Sequence, residues 1–432
     1  MTLRLILLFF TLGLTGAHAL KIEITQGAVR PDPIAVTAFH SPQGDAVDEG
    51  QQIAAVIAAD LESSGLFENL SSASFIQTPA SLHNDGPRLQ DWRLIKTRFL
   101  VAGAVEFSGR SLQVQFKLFD IITGQMLVAL SFNADGDKWR KMAHMAADAI
   151  YSRITNETGY FNTNVVYVES ASPKGRNYKT RLIKMDYDGA NAKPITDGHE
   201  HMINPTYSPD GKWLIFGAFS KDGIKSFIMN LESKEKRSLG NFHAMNFAAR
   251  FSPDSKYVVL SLVKNGTSAI YEMELATRRL TQLTPHSDID TSPCYAPDGT
   301  QIVFTSNRHG RENLYIMSRS GSDVRRISFD MGKYSQPAWS PRGDYIAFTK
   351  QNGSTFYVGV MAPDGSGERL IAEAYLIERP VWSPNGRIIM FTKESGVSSK
   401  SALYQVDITG RNLRQLVTQR DGFDSTWSPL YK

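Results

Sequence analysis

The chain has 432 residues, of which 42% are hydrophobic and 21% charged, and a formal net charge of +4. That length supports two or three domains with sizeable cores, and the composition is globular with no disordered block. So small a charge, with no Lys/Arg run longer than three residues, excludes an electrostatic nucleic-acid footprint.

The first nineteen residues, "MTLRLILLFFTLGLTGAHA", place one arginine before an apolar run from Leu5 to Leu14 and end on Ala17-His18-Ala19. This is the order of a secretory signal peptide, so residues 1–19 are read as cleaved and Leu20 as the first mature residue. The run is shorter than the ~20 apolar residues of a membrane span. The mature chain is therefore expected to be exported and soluble, with no direct membrane insertion. Its first residues alternate: Leu20, Ile22 and Ile24 are apolar, and Lys21, Glu23 and Thr25 are polar, up to Gln26. This is a strand pattern with one apolar face, set off by Gly27, Pro31 and Pro33. Such a segment packs on its own protein or adds to the sheet edge of a partner.

Residues 20–160 mix helices and strands. "PIAVTAF" reads as a buried strand. Asp48 then caps a helix whose face is Ile53, Val56, Ile57 and Leu61, with Gly65 at its C-terminal stop. "FLVAGAVEF" and "SLQVQFKLFD" flank Ser108-Gly109-Arg110, and the second run alternates as a half-buried strand does. "QMLVALSF" is a third strand. A helix with Trp139, Met142, Ala146, Ile150 and Ile154 on one face closes a small α/β domain with a partly antiparallel sheet.

Residues 161–432 follow a repeat. The phrase "YSPDGKWLIF" returns as "FSPDSKYVVL", "YAPDGTQIVF", "WSPRGDYIAF" and "WSPNGRIIMF", and its first half closes the chain as "WSPLYK". Pro209, Pro253, Pro297, Pro341, Pro384 and Pro429 are spaced 44, 44, 44, 43 and 45 residues apart, each two residues after an aromatic. Ser-Pro-Asp-Gly suits a type I turn, and four short strands per period make a propeller blade. "VVYVES" lacks the phrase before it, and "DSTWSPL" lacks outer strands after it. The expectation is a six-bladed β-propeller closed by a C-terminal inner strand, which would remove exposed sheet edges.

The chain lacks a G-x-S-x-G elbow, H-E-x-x-H, P-loop and G-x-G-x-x-G, so no catalytic residue and no cofactor is expected. His199, Glu200 and His201 read as a polar loop, because no third metal ligand joins the two histidines. Recurrent aspartates in "SDIDTS", "RDGFDS" and "MDYDGA" could hold a cation such as Ca²⁺ at a propeller mouth, but turn chemistry explains most of them. Cys294, the only cysteine, forms no intramolecular disulfide and reads as a small buried strand residue. The informative positions precede each inner strand, where the loops meet the central channel. They are Met202 and Asn204; Met245 and Asn246; Asp290 and Thr291; Tyr334 and Gln336; Tyr375 and Glu378; Phe423 and Asp424. Aromatic and Met side chains interleaved with single charges suit a protein-binding surface.

A signal peptide, a small α/β domain, 44-residue repeats and a terminal "WSP" together resemble the TolB family, periplasmic components of the Tol-Pal system, over the whole chain. "PIAVTAF" with "IAAVIAADLESSGLFENL" is similar to that family's first strand and helix, and "TGYFNTNVVYV" to its entry into the propeller. The resemblance implies a monomeric, non-enzymatic linker that supports outer-membrane integrity and envelope constriction during division. It implies that the lipoprotein Pal binds the channel mouth through Met202, Asn204, Met245, Asn246, Thr291, Tyr334, Gln336, Tyr375 and Glu378. It also implies that TolA binds the mature N-terminus through Leu20, Ile22, Ile24 and Gln26; other outer-membrane proteins are a further partner class. Two rivals stay open at this point: a lactonase-type enzyme with a channel metal, and a glycan-binding propeller.

Overall fold

A computed structural model describes residues 30–171, 178–221, 223–240, 242, 246–397 and 399–431. The signal peptide, the Leu20–Gln26 segment and Met245 lie outside the described residues.

The N-terminal unit is one five-stranded sheet. Its strands are β1 (Asp32–Val36), β2 (Phe67–Asn69), β3 (Phe99–Ser108), β4 (Ser111–Asp120) and β5 (Met126–Asp135), in the order β2-β1-β3-β4-β5. β1 runs parallel to β2 and β3, and the β3–β4–β5 meander is antiparallel. Helices α1 (Val47–Ser63) and α4 (Trp139–Thr155) pack together and bury Ile53, Ile57, Leu61, Met142, Ala146 and Ile150 against the sheet. Asp48 sits in the first turn of α1 and the N-cap is Ala46, so its carboxylate acts on the helix dipole and not as a cap. Gly65 has the left-handed φ of +72° expected just past the helix end. Two short helices absent from the reading above, α2 (Pro79–Asp85) and α3 (Leu89–Leu94), cover the opposite side with Leu82 and Trp92.

Beyond residue 163 the chain builds six four-stranded antiparallel sheets. The inner strands are Met202–Tyr207, Asn246–Phe251, Asp290–Tyr295, Lys333–Trp339, Leu376–Trp382 and Gly422–Trp427, and consecutive ones touch around a ring. They define blades one to six in that order. Each turn phrase is pinned as its chemistry requires. In the first, Gly211 N donates to Ser208 O at 2.9 Å, and Asp210 Oδ1 accepts from Lys212 N. The fourth position is left-handed in every full phrase, and Ser255 holds it in the second at +58°.

The expected closure by a C-terminal inner strand needs correction. Among the described residues no sheet is closed by hydrogen bonds, and every blade is an open four-stranded array. Gly422–Trp427 is the first strand of one such array, pairing with β6 (Asn164–Ser170) through Gly422↔Glu169 and Trp427↔Val165. Neighbouring blades meet through side chains and scattered backbone hydrogen bonds, such as Tyr334 N to Glu312 O at 3.0 Å and Gly422 N to Ser401 O at 3.2 Å, and no inner strand joins the sheet of another blade. The architecture is thus an N-terminal α/β domain joined to six open blades.

The two domains share one core. Tyr160, Phe161, Tyr187 and Trp427 pack with Tyr151 and Ile150 of α4 and with Ile388, Met390 and Leu416 of blade five. Hydrogen bonds frame it. Tyr187 Oη donates to Asp60 Oδ1 at 2.7 Å, Asn412 Nδ2 to Ser63 O at 2.6 Å, and Asn385 Nδ2 to Thr158 O at 2.9 Å. Where the chain crosses between domains, Asp148 Oδ1 accepts from Phe161 N at 2.7 Å. Gly159 lies against that helix so closely that a Cβ would stand 2.3 Å from Asp148 Oδ1 and 2.6 Å from Asp148 Cα. Gly159→Ala is therefore expected to cost about 1–3 kcal/mol through backbone displacement, read as a lowered melting temperature. An unchanged melting temperature would show that the crossing is not held this tightly.

Candidate functional site

Each inner strand carries a bulge, visible as a register shift against the second strand of its blade. At each bulge one non-glycine residue is left-handed: Asn204, Ala248, Ser292, Gln336, Arg379 and Asp424, all with φ between +49° and +56°. All six stand five residues before an anchor proline, so the repeat places a ring of bulges around the channel. Bulges re-aim side chains, and here two of them tie blades together. Asp424 Oδ2 accepts from Asn204 N at 3.0 Å, and Gln336 Oε1 accepts from Arg379 N at 2.7 Å. The strand pattern hides this ring, because Ala, Gln and Arg are unusual left-handed residues.

The expected mouth residues divide by what they expose. Met202, Asn246 and Tyr334 are buried. Met202 N bonds Thr180 Oγ1, and Asn246 Oδ1 accepts from Ser226 N at 2.7 Å. Tyr334 Oη donates to the Glu368 carboxylate at 2.8 Å, beneath Lys350, whose ammonium lies 4.8 Å from the ring centroid. Burial pushes the Tyr334 phenol up to about 12. These three shape the mouth from behind and offer a partner almost no surface. Asn204, Thr291, Gln336 and Glu378 are half-buried, and Tyr375 is exposed. Burial, then the Asp424 and Glu394 charges, raise the Glu378 carboxyl above its usual range. Asp290, fully buried, is matched by Arg308 Nη2 at 3.1 Å.

The exposed apolar surface at this mouth lies mostly on residues that strand periodicity did not single out. Phe329 and Met331, 66% and 70% exposed, precede the inner strand of blade four, and Ile289 precedes that of blade three. Phe219 and Val397 project from the hairpins that join second and third strands in blades one and five. With Tyr375 they lie in connections at the end of the blades away from the Ser-Pro turns, an apolar rim in that topological sense. Isolated exposed apolar residues are ordinary, whereas six at one end of the blades suit an interaction surface. At the opposite mouth the aromatic-Ser-Pro phrases line a funnel of about 520 Å³.

No catalytic constellation accompanies the rim among the described residues. Glu200 is held by Lys236 at 2.7 Å, His201 stacks on Phe219 at 4.4 Å, and His199 is exposed, so the three do not converge. Cys294 is buried as expected. Asp60, His144 and Asp188 bring ligand atoms within 4.8 Å of one another at the domain seam. Its carboxylates are already engaged: Arg140 pairs with Asp188, and His144 Nδ1 and Tyr187 Oη both bond Asp60, while His144 Nε2 is buried without a partner.

Family models match both parts of the chain: the TolB amino-terminal domain over residues 20–127 and the TolB beta propeller domain over 151–431. A Tol-Pal system protein TolB from Roseobacter denitrificans is 44% identical over 222 residues, covering 51% of this chain and 49% of its own length. One from Paramagnetospirillum magneticum is 44% identical over 229 residues, covering 52% and 51%. The chain thus spans about half the length of the curated relatives it matches. The crystal structure of TolB from Acinetobacter baumannii superposes with a TM-score of 0.83 at 25% identity, over 93% of this chain and 97% of that one. With its α/β unit, its six blades and a propeller match covering most of its length, the chain belongs to the TolB family.

Proposed function

We propose that this chain is a non-enzymatic periplasmic scaffold of the Tol-Pal system, linking the outer-membrane lipoprotein Pal to TolA. In that role it supports outer-membrane integrity and envelope invagination during cell division. The observation that carries the reading is the apolar rim of Phe219, Ile289, Phe329, Met331, Tyr375 and Val397, set over half-buried Asn204, Thr291, Gln336 and Glu378. An apolar ring with a few oriented polar groups behind it is the anatomy of a protein-binding surface. Pal is assigned to this mouth. Met202, Asn246 and Tyr334 hold its shape from beneath, and Met245, next in sequence to Asn246, is assigned to the same contact.

TolA is assigned to the mature N-terminus, through Leu20, Ile22, Ile24 and Gln26. The segment pairs with a sheet edge by backbone hydrogen bonds, and its alternate side chains set the register. Pal and the segment are coupled: Pal favours the docked placement, and the free segment is available to TolA. The test is capture from envelope extract on the full mature chain and on a variant that begins at Gly27. The full chain is expected to retain both Pal and TolA; the variant should keep its melting transition and Pal but lose TolA. Capture of neither protein by the full chain would overturn the scaffold reading, and retained TolA on the variant would overturn the N-terminal assignment.

A further inference from the structure

Between the two mouths the channel holds a cavity of about 160 Å³, lined by Asn204, Thr206, Phe247–Arg250, Ser292, Gln336 and Arg379. Two of these are arginines from different blades. Arg250 comes from blade two and Arg379 from blade five, which stand opposite each other in a ring of six. Arg379 is 8% exposed, and its Nε has no hydrogen-bond partner. Its Nη2 donates to Pro205 O at 3.3 Å. Its ion-pair partner among the described residues, Asp424, stays 4.0 Å from Nε and spends its other oxygen on Asn204 N. Arg250 is half-buried, has no carboxylate within ion-pair range among the described residues, and makes only a 3.5 Å contact to Cys294 Sγ. The other ionised groups near Arg379 are Glu378 and Arg250 itself.

A guanidinium this buried with an unfilled donor, facing a second cation across a narrow channel, is a costly arrangement in isolation. Burial pulls Arg379 down to about 10, with Arg250 adding to the shift and Asp424 opposing it. The bulge ring is also broken here: Ala248 has no side-chain acceptor to offer the next blade, unlike Asp424 and Gln336. Planar guanidiniums match the oxygens of phosphate and carboxylate groups by charge-assisted hydrogen bonds.

We propose that the channel binds a small oxyanion, a phosphate or carboxylate group, between Arg250 and Arg379, with Gln336, Asn204 and Ser292 as neutral neighbours. The cavity shares Thr206, Arg250 and Arg379 with the funnel on the Ser-Pro side. A free inorganic anion and the carboxylate of a larger molecule both reach it from there.

Calorimetric titration of the full mature chain with inorganic phosphate and, separately, with acetate distinguishes the two sources. One saturable site is expected, for phosphate if the natural ligand is a free inorganic anion and for acetate if it is a carboxylate. Arg250→Gln is expected to weaken that binding at least about tenfold while leaving the melting transition in place, because Arg250 supports no buried ion pair. Should that variant melt early, Arg250→Lys carries the same test, since an ammonium keeps the charge but not the fork. Lack of saturable binding by either anion, or equal affinity in the folded variant, overturns the proposal.

Discussion

Trp427→Ala is expected to lower the free energy of unfolding by about 3–5 kcal/mol, the cost of deleting a large buried aromatic and leaving a cavity. The ring is 7% exposed and lies near-parallel to Tyr187 at 6.4 Å and edge-on to Tyr160 at 6.0 Å. Its Nε1 donates to Thr163 Oγ1 at 2.8 Å, so the substitution also removes one hydrogen bond from a buried hydroxyl of the crossing segment, which keeps its own bond to Tyr160 O. The effect exceeds that of an ordinary strand residue because Trp427 lies in the cluster that joins α4, β6 and blade five. Chemical denaturation checks it, and both domains should lose stability together. A loss below about 1 kcal/mol would mean that the shared core is not cooperative.

Phe329→Asp combined with Met331→Asp is expected to weaken Pal binding about thirtyfold or more, since residues central to an interface each contribute roughly 2 kcal/mol and a charge in their place adds repulsion from an apolar partner. Both side chains are well exposed, so the double variant should melt like the parent. Tyr334→Ala separates surface from support. It removes the hydrogen bond to Glu368 and the ring under the Lys350 ammonium, and any loss of Pal binding should come with lost stability. Undiminished Pal binding by the double variant would place the interface elsewhere.

Much of the propeller was legible because its turns are fixed by local chemistry. Proline sets one dihedral, a left-handed fourth position sets another, and the period follows from six anchors. The α1 and α4 faces were legible for the same reason, since 3.6-residue spacing is a local signal. What escaped depends on distant partners. Tyr334 reads as a loop aromatic, and only Glu368 and Lys350, contributed by other segments of its own blade, turn it inward. Arg379 falls where the spacing drops to 43, so nothing in the repeat announces a buried cation facing Arg250. Phe329 and Met331 follow the polar strand Arg325–Arg326 in a connecting loop, where periodicity carries no information. The terminal half-phrase was read as a closing strand. It forms instead one edge of an open sheet, because a blade ends at its channel-side edge and the blades join by side chains and scattered hydrogen bonds, not by a shared sheet.

The proposed scaffold role places Pal on the rim away from the Ser-Pro turns. The most direct measurement is amide hydrogen exchange on the full mature chain, with and without the soluble periplasmic domain of Pal. Slowed exchange is predicted in 287–291, 328–333 and 374–378 and in the hairpin tips at Phe219 and Val397, with the Ser-Pro turns unchanged. Protection confined to the Ser-Pro funnel or to the N-terminal sheet would contradict it.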